Sequence, residues 1–434
     1  MIDTAYRAWL AGARFRARRE RYKRFTYGDQ WSDIVEDAEG RLMREDRLIR
    51  LSGKRPVTNN LIRQLVKNIV GRYRTRCAEA AVYAGPHIGK LAKRNALAEL
   101  DSRLIEEYLI SGCAIQRIVA EPRFRGDGVW IDNVDPRAFF ANKFCDPRGW
   151  DIELIGMLHD MTFPELVNRF AGGKTTREEE LRRLYSPESA PDMPDMTIGE
   201  ALDGGGSFYR SADPNRFRVI EVWSFDARKD ADPDCASRSF AWHCRWLAPD
   251  GTVLSEYDSP YAHRSHPFAV KFYPLTDGEI HSFVEDVIDQ QKAINRLMVQ
   301  IDHIMATSAK GVLLFPLDQK PADIDWRDIS ERWAQPDGVI PVTGRGAQMP
   351  SQVVTNTSGT GAYQLLQLQM KLFEDVSGVS EALLGKGLTG ARGSELYESQ
   401  LRNATVALAD LFDSFSSFIE ERNDKAAESD INSR

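Results

Sequence analysis

Two glycine-rich strings and a scatter of histidines and cysteines are where residue type and spacing could support chemistry in this 434-residue chain. Gly85-Pro-His-Ile-Gly89-Lys90-Leu91 follows an apolar run and precedes a helical one, the setting of a phosphate-binding loop. One residue is missing between its glycines, Leu91 stands where a Ser or Thr would hold magnesium, and Pro86 removes a backbone donor. The string reads as a turn before a helix. Gly385-Lys-Gly387-Leu-Thr-Gly390 matches GxGxxG and has Asp410 twenty residues beyond. A dinucleotide site also needs a parallel strand before it and a βαβ unit around it, whereas this string lies between two helical stretches. It reads as a glycine-rich loop. Cys235, His243, Cys244, His263 and His266 have no zinc-ligand spacing, and strand alternation over 240–247 sends His243 and Cys244 to opposite faces. No catalytic, cofactor-binding or metal-ligating set can be assembled, so the chain is expected not to be an enzyme.

Charge is polarised along the chain. Residues 1–100 carry 22 Lys and Arg against 11 Asp and Glu, a surplus of +11, whereas the remainder carries 35 against 53. The densest cluster is Arg14, Arg16, Arg18, Arg19, Arg21, Lys23 and Arg24, interleaved with Phe15, Tyr22 and Phe25. Such a run could contact phosphates or stack on bases. With an acidic remainder, a protein-facing role against acidic surface of a neighbouring subunit is favoured. Five cysteines at irregular spacing signal neither a disulfide framework nor a zinc ribbon. No secretory signal and no stretch of about 18 apolar residues is visible, so no membrane partner is expected.

These residues must be positioned by a mixture of helices and strands, an α+β chain that is mainly helical. Residues 1–110 read as helical, with Asn60 capping a run in which Leu61, Leu65, Val66 and Ile69 share a face. Strands are predicted over 114–120 and 129–134, then over 216–226, 240–247 and 252–257, the last two joined by a turn at Asp250-Gly251. Between them, 171–214 is rich in Gly and Pro and reads as a long, partly mobile excursion. Ser282 and Glu285 form a capping box for a long helix reaching Ser308, whose apolar seam Val284, Val287, Ile294, Met298, Ile301 and Met305 is interrupted only by Gln291. Residues 311–357 form a self-contained insert with Trp326 and Trp333 as core candidates. A second helix over 362–376 stops at Ser377-Gly378. A last helix runs from Ser394 to about Glu421, with Tyr397, Leu401, Ala404, Leu408, Leu411, Phe415 and Phe418 at 4-3 spacing, followed by a polar tail from Asn423.

Three stretches together resemble portal proteins of tailed bacteriophages. They are Tyr27-Gly-Asp-Gln-Trp-Ser-Asp33 with Arg55-Pro-Val-Thr-Asn-Asn60 and Ile69-Val-Gly71; His266-Pro-Phe268 through Tyr273-Pro274 and Gly278 to Val287-Ile-Asp-Gln-Gln-Lys-Ala-Ile-Asn295; and Ser377-Gly-Val-Ser-Glu-Ala-Leu-Leu-Gly385 with Gly393-Ser-Glu395. The resemblance implies a portal-like fold: a wing over 1–280, a first stem helix over 281–310, a clip over 311–357, a second stem helix over 358–380, a tunnel loop over 381–393, and a C-terminal helix with polar tail over 394–434 that leaves a minimal crown or none. It implies a ring, dodecameric by analogy, at one vertex of the capsid, assembled in the host cytoplasm and carried in the virion. Its expected partners are the terminase large subunit, head-completion adaptor and tail proteins, capsid and scaffolding proteins, and double-stranded DNA passing through the channel. Lys386, Thr389 and Arg392 are then expected to face the DNA channel. Asp318, Asp323, Asp325 and Asp328 are expected to face the terminase from the clip, and the cluster Arg14 to Arg24 a subunit interface. The alternative is a nucleic-acid-processing enzyme with the basic N-terminus as its DNA-binding arm.

Overall fold

The computed structural model describes residues 1–79, 86–123, 126–186, 207–227, 240–308, 312–317, 320–334, 340–342, 351–353, 359–379, 406 and 408–431. In chain order the elements begin with helices α1 (Ile2–Ala11) and α2 (Ala13–Tyr27), strands β1 (Ile34–Glu36) and β2 (Leu42–Arg44), and helices α3 (Glu45–Leu51), α4 (Leu61–Glu79), α5 (Pro86–Asn95) and α6 (Leu97–Ser111). Strands β3 (Cys113–Arg123), β4 (Gly126–Asn133), β5 (Phe139–Ala141) and β6 (Leu154–Met161) follow, then helices α7 (Phe163–Phe170) and α8 (Thr175–Leu184). Next come β7 (Phe217–Ala227), β8 (Phe240–Leu247), β9 (Val253–Asp258), β10 (Phe268–Phe272), β11 (Leu275–Thr276) and β12 (Glu279–Ile280). The chain continues with α9 (Glu285–Ser308), β13 (Val312–Leu314), α10 (Trp326–Ala334), β14 (Ser351–Val353), α11 (Gly359–Ser377) and α12 (Ala409–Ile431). It divides into two compact units, one of residues 1–27, 62–286 and 378–434, the other of 28–61 and 287–377.

In the first unit, β5-β6-β7-β8-β9 form an antiparallel sheet and β10-β3-β4 a second. The alternation predicted along β7 is realised residue by residue. Val219 and Trp223 join one core with Ile155, Cys244 and Trp246, shared with Cys113, Ile115 and Phe268 of the other sheet. Ile220 and Val222 face the opposite side, where Ala5 and Trp9 of α1 pack with Phe140 and Phe208. Apolar residues occupy both registers because both faces of the sheet are covered. Gly156 is closely packed within the sheet, where a Cβ would stand 2.3 Å from both the Glu221 carbonyl oxygen and the Phe140 ring.

Helix α12 packs on β3 and β10, and departs from expectation. It continues ten residues beyond Glu421, because the buried stripe Leu408, Leu411, Phe415 and Phe418 extends through Arg422, Ala426 and Ser429. These later positions are polar or small in sequence, yet as buried as those before them. The upstream half of the expected helix, with Tyr397, Leu401 and Ala404, lies outside the described residues. The excursion over 171–214 also differs. Its start is helix α8, anchored by buried Leu181 and stabilised by an Arg182–Glu178 pair, and Phe208 near its end is fully buried.

In the second unit a β1–β2 hairpin interrupts what had read as a wholly helical region. Its turn is built on Asp37, whose carboxylate accepts from the Glu39 and Arg41 backbone amides and pairs with Arg41. Helix α9 opens with the predicted capping box: the Ser282 hydroxyl accepts from the Glu285 amide at 3.0 Å and the Glu285 carboxylate accepts from the Ser282 amide at 3.4 Å. The insert after it is closed by antiparallel pairing of Val312 with Val353, Leu313 with Gln352 and Leu314 with Ser351. Ile329 is buried within it, whereas Trp326, expected in a core, is 42% exposed with its ring edge-on to Phe315. Helix α11 ends as expected, at Gly378 with φ +65°.

Candidate functional site

The first two of the resembling stretches meet in one place. Gln30, Asn59, Asn60, Gln291 and Asn295 are far apart in sequence and join through their amides within the second unit. The Asn295 Nδ2 donates to Gln30 Oε1 at 2.5 Å, and Gln30 Nε2 donates to Asn60 Oδ1 at 3.1 Å. Gln291 Nε2 donates to the Asn59 carbonyl at 2.6 Å and to Asn295 Oδ1 at 3.0 Å, while its Oε1 accepts from the Leu61 amide at 2.9 Å. The Asn59 amide donates to Asn295 Oδ1 at 3.0 Å. Gln30, Gln291 and Asn295 are all at most 1% exposed. Around them, Lys292 pairs with Asp33 at 2.6 Å, Arg296 with Glu45 at 2.7 Å, and Trp31 Nε1 donates to Thr58 Oγ1 at 3.0 Å. Gln291, which reads in the sequence as a defect in an apolar seam, is thus the centre of a joint between 28–61 and α9. Its carboxamide supplies both a donor and an acceptor, and so meets the Asn59 carbonyl and the Leu61 amide together.

The basic cluster of α2 is divided by burial. Arg16 and Arg19 are 2% and 3% exposed, so these two face the interior of their own chain and not a neighbour. Arg16 lies 3.9 Å over the Trp9 ring and donates to the Trp9 carbonyl, and Arg19 makes a bidentate pair with Glu107 at 2.6 and 2.9 Å. Burial alone would lower the Arg19 pKa, but Glu107 and Asp135 outweigh it and hold the guanidinium charged. Arg18 approaches Glu285 at 3.9 Å, Arg14 is exposed, and Arg21, Lys23 and Arg24 are half-buried.

Two further ionic groups sit in the first unit where sequence reading found nothing. Arg422 Nη1 donates to Asp101 Oδ1 at 2.9 Å, both side chains wholly buried, and Gln116 Nε2 donates to the same carboxylate at 3.2 Å. Glu221, also fully buried, accepts from Trp223 Nε1 at 2.9 Å and Arg117 Nη2 at 3.1 Å and is bonded to His159 Nε2 at 2.7 Å. Burial would raise the Glu221 pKa, but Arg117 and His159 hold it well below the usual carboxylate range. Its position in the β7 alternation gave no sign of this, because an inward charge has no pattern without its partner.

Of the clip candidates, Asp323, Asp325 and Asp328 are exposed on and beside α10, and Asp318 lies outside the described residues. So do Lys386, Thr389 and Arg392, with the whole GxGxxG string. The other glycine string departs from expectation: Pro86 to Leu91 are themselves part of α5 and not a turn before it, and Gly85 lies outside the described residues. His243 pairs with Asp258 at 2.8 Å on one strand face while Cys244 is buried on the other. Among the described residues no group of three or more His, Cys, Asp or Glu is placed to hold a metal, and no helix is long and apolar enough to cross a membrane.

The joint therefore assembles parts of the chain that resembled phage portals into one structure, centred on the buried Gln30, Gln291 and Asn295. The phage P22-like portal protein family model matches residues 3–425, and the chain belongs to that family. It is a family of structural, non-enzymatic proteins. Comparison with curated proteins gives no match.

Proposed function

We propose that this portal subunit forms a ring-shaped channel for double-stranded DNA at one capsid vertex, with 281–310 and 358–380 as stem helices, 311–357 as the clip, 381–393 as the tunnel loop, and the remainder as the wing and C-terminal helix. The observation that carries this reading is the order helix, pinched insert, helix within one unit: α9, a segment whose two ends pair as β13 and β14, then α11. An insert closed at its base projects from the helices that bear it and suits a docking element. The exposed Asp323, Asp325 and Asp328 give it an acidic face for the terminase during packaging and for adaptor or tail proteins afterwards.

Ring formation has its own support. On α11, Leu365, Leu368, Leu372 and Val376 are 38–52% exposed and recur at 3-4-4 spacing, an apolar stripe flanked by the buried Phe373 and Ser377. Covering that stripe with the next copy removes it from water. Arg21, Lys23 and Arg24 are assigned to acidic surface of a neighbour, Arg16 and Arg19 are withdrawn from that role by burial, and Arg14 and Arg18, which line a pocket beside α2, are left out of it. Negative-stain imaging of the purified chain tests the proposal: rings with a central hole are expected, and a monodisperse monomer at micromolar concentration would refute it. Replacing 316–350 by a short Gly-Ser turn is expected to spare rings and abolish motor docking. Normal docking by that variant would remove the clip assignment alone.

A further inference from the structure

A pocket of about 300 Å³ in the first unit lies between the α1–α2 corner, the β5 segment and the β11–β12 hairpin. Its floor is aromatic. Phe272 is stacked on Phe144 with centroids 5.2 Å apart and meets Phe15 edge-on at 6.1 Å, and Phe139 completes the set. Phe15, Phe144 and Phe272 are only half-buried, although the core beneath them is closed. The rim is cationic. Arg14 and Lys143 are exposed on it and Arg18 is half-buried, while Glu279 is its one carboxylate, 4.0 Å from His281. This positive rim belongs to a chain whose net charge is −7.

We infer that this pocket docks a segment of a partner protein in which an apolar side chain is flanked by carboxylates. The argument is complementarity of two kinds at once. An aromatic floor of this size accepts one Phe- or Leu-sized anchor and removes it from water. Cations on the rim meet acids on either side of the anchor and steer their approach, and a basic segment would be repelled. A nucleic acid would use the rim but leave the floor empty, and a neutral apolar segment would use the floor but leave the rim unused. The inference does not rest on the clip, the tunnel loop or the channel, since none of their residues lines the pocket.

The test is a titration of the full-length assembled protein with a fluorescein-labelled peptide carrying one Phe between Asp and Glu residues, followed by anisotropy. Saturable binding is expected that weakens with salt and falls about tenfold or more when Arg14→Glu and Lys143→Glu are combined. Ala11→Trp, which puts a bulky ring at the exposed end of the pocket wall with every charge retained, is expected to block the same peptide. Circular dichroism and thermal midpoints identify any variant that fails to fold, and the comparison peptides do not depend on variants. Replacing Phe by Ser in the peptide, or its acids by Lys, should each abolish most of the binding. Equal binding of the Ser peptide, equal binding of the Lys peptide, or no saturable binding at millimolar concentration would each overturn the inference. Binding to the unassembled chain that disappears on assembly would overturn it too, by assigning the pocket to a second copy.

Discussion

Replacing Arg422 by methionine tests whether the C-terminal helix is held by charge or by shape. Arg422 and Asp101 are both wholly buried and 2.9 Å apart, so the substitution keeps an unbranched stem without the guanidinium and strands a carboxylate inside the protein. Breaking a buried pair from one side costs roughly 3–5 kcal/mol. Gln116 still donates to Asp101 at 3.2 Å, which places the expected loss near the lower end, about 3 kcal/mol. For a folding unit of this size each kcal/mol lowers the melting midpoint by roughly 1.5 °C, so Arg422→Met should lower the first unit's transition by about 5 °C. Asp101→Asn alone should also destabilise, by leaving the guanidinium without its counter-charge. Joining the two variants removes both charges and should restore most of the loss, since a buried pair contributes little net stability over a neutral equivalent. Differential scanning calorimetry of the four proteins gives the coupling directly. Additive losses in the double variant, or an unchanged midpoint in Arg422→Met, would show that the pair does not anchor the helix.

Four shorter predictions follow the same logic. Lys386→Ala with Arg392→Ala should leave rings intact and change the DNA retained in filled heads; unaltered retention would remove the channel role. Ring assembly should weaken between low and molar salt if Arg21, Lys23 and Arg24 of α2 face acidic neighbours, and sedimentation at both ionic strengths decides it. Burial and Lys425 hold His263 down to about 4 and His266 well below its usual range, so the unfolded chain binds protons before the native one. That stability is present above about pH 6.5 and is lost as pH falls towards 4, and His263→Gln should flatten this part of the urea-midpoint profile. Gly156→Ala should destabilise by roughly 1–3 kcal/mol or more, because its Cβ would meet backbone and ring at 2.3 Å; full stability would show the sheet able to spread.

What could be read from sequence was whatever has a period. The β7 alternation placed Val219 and Trp223 opposite Ile220 and Val222, the capping box at Ser282 fixed the start of α9, and Gly378 its counterpart at the end of α11. The illegible parts are polar residues turned inward. Arg422 and Ser429 look like surface, so α12 seemed to stop near Glu421, and the helix continues because Asp101 waits in the core for that arginine. Gln291 looked like a flaw in a seam, since nothing local to it announces Asn59, 232 residues away. Of the proposed site, the three described clip acids are on the surface as expected, and the basic cluster is divided by burial that its composition did not reveal.

The amide joint has a consequence of its own. Carboxamides neither gain nor lose protons over the range in which proteins survive, and their hydrogen bonds are only weakly screened by salt, so the centre of the joint has the same strength in acid, base or brine. They are also directional. Gln291 and Asn295 stand one helical turn apart, each with donor and acceptor already committed to a particular atom of 28–61. Sliding the helix by a single residue would bring Lys292 and Arg296, or Gln290 and Ile294, to those positions, and neither pair supplies two carboxamides, so the joint has one register and no neighbouring one to slip into. A helix bearing an axial load would be held there by an indexed catch, and the flanking Lys292–Asp33 and Arg296–Glu45 pairs add to its strength without setting its position.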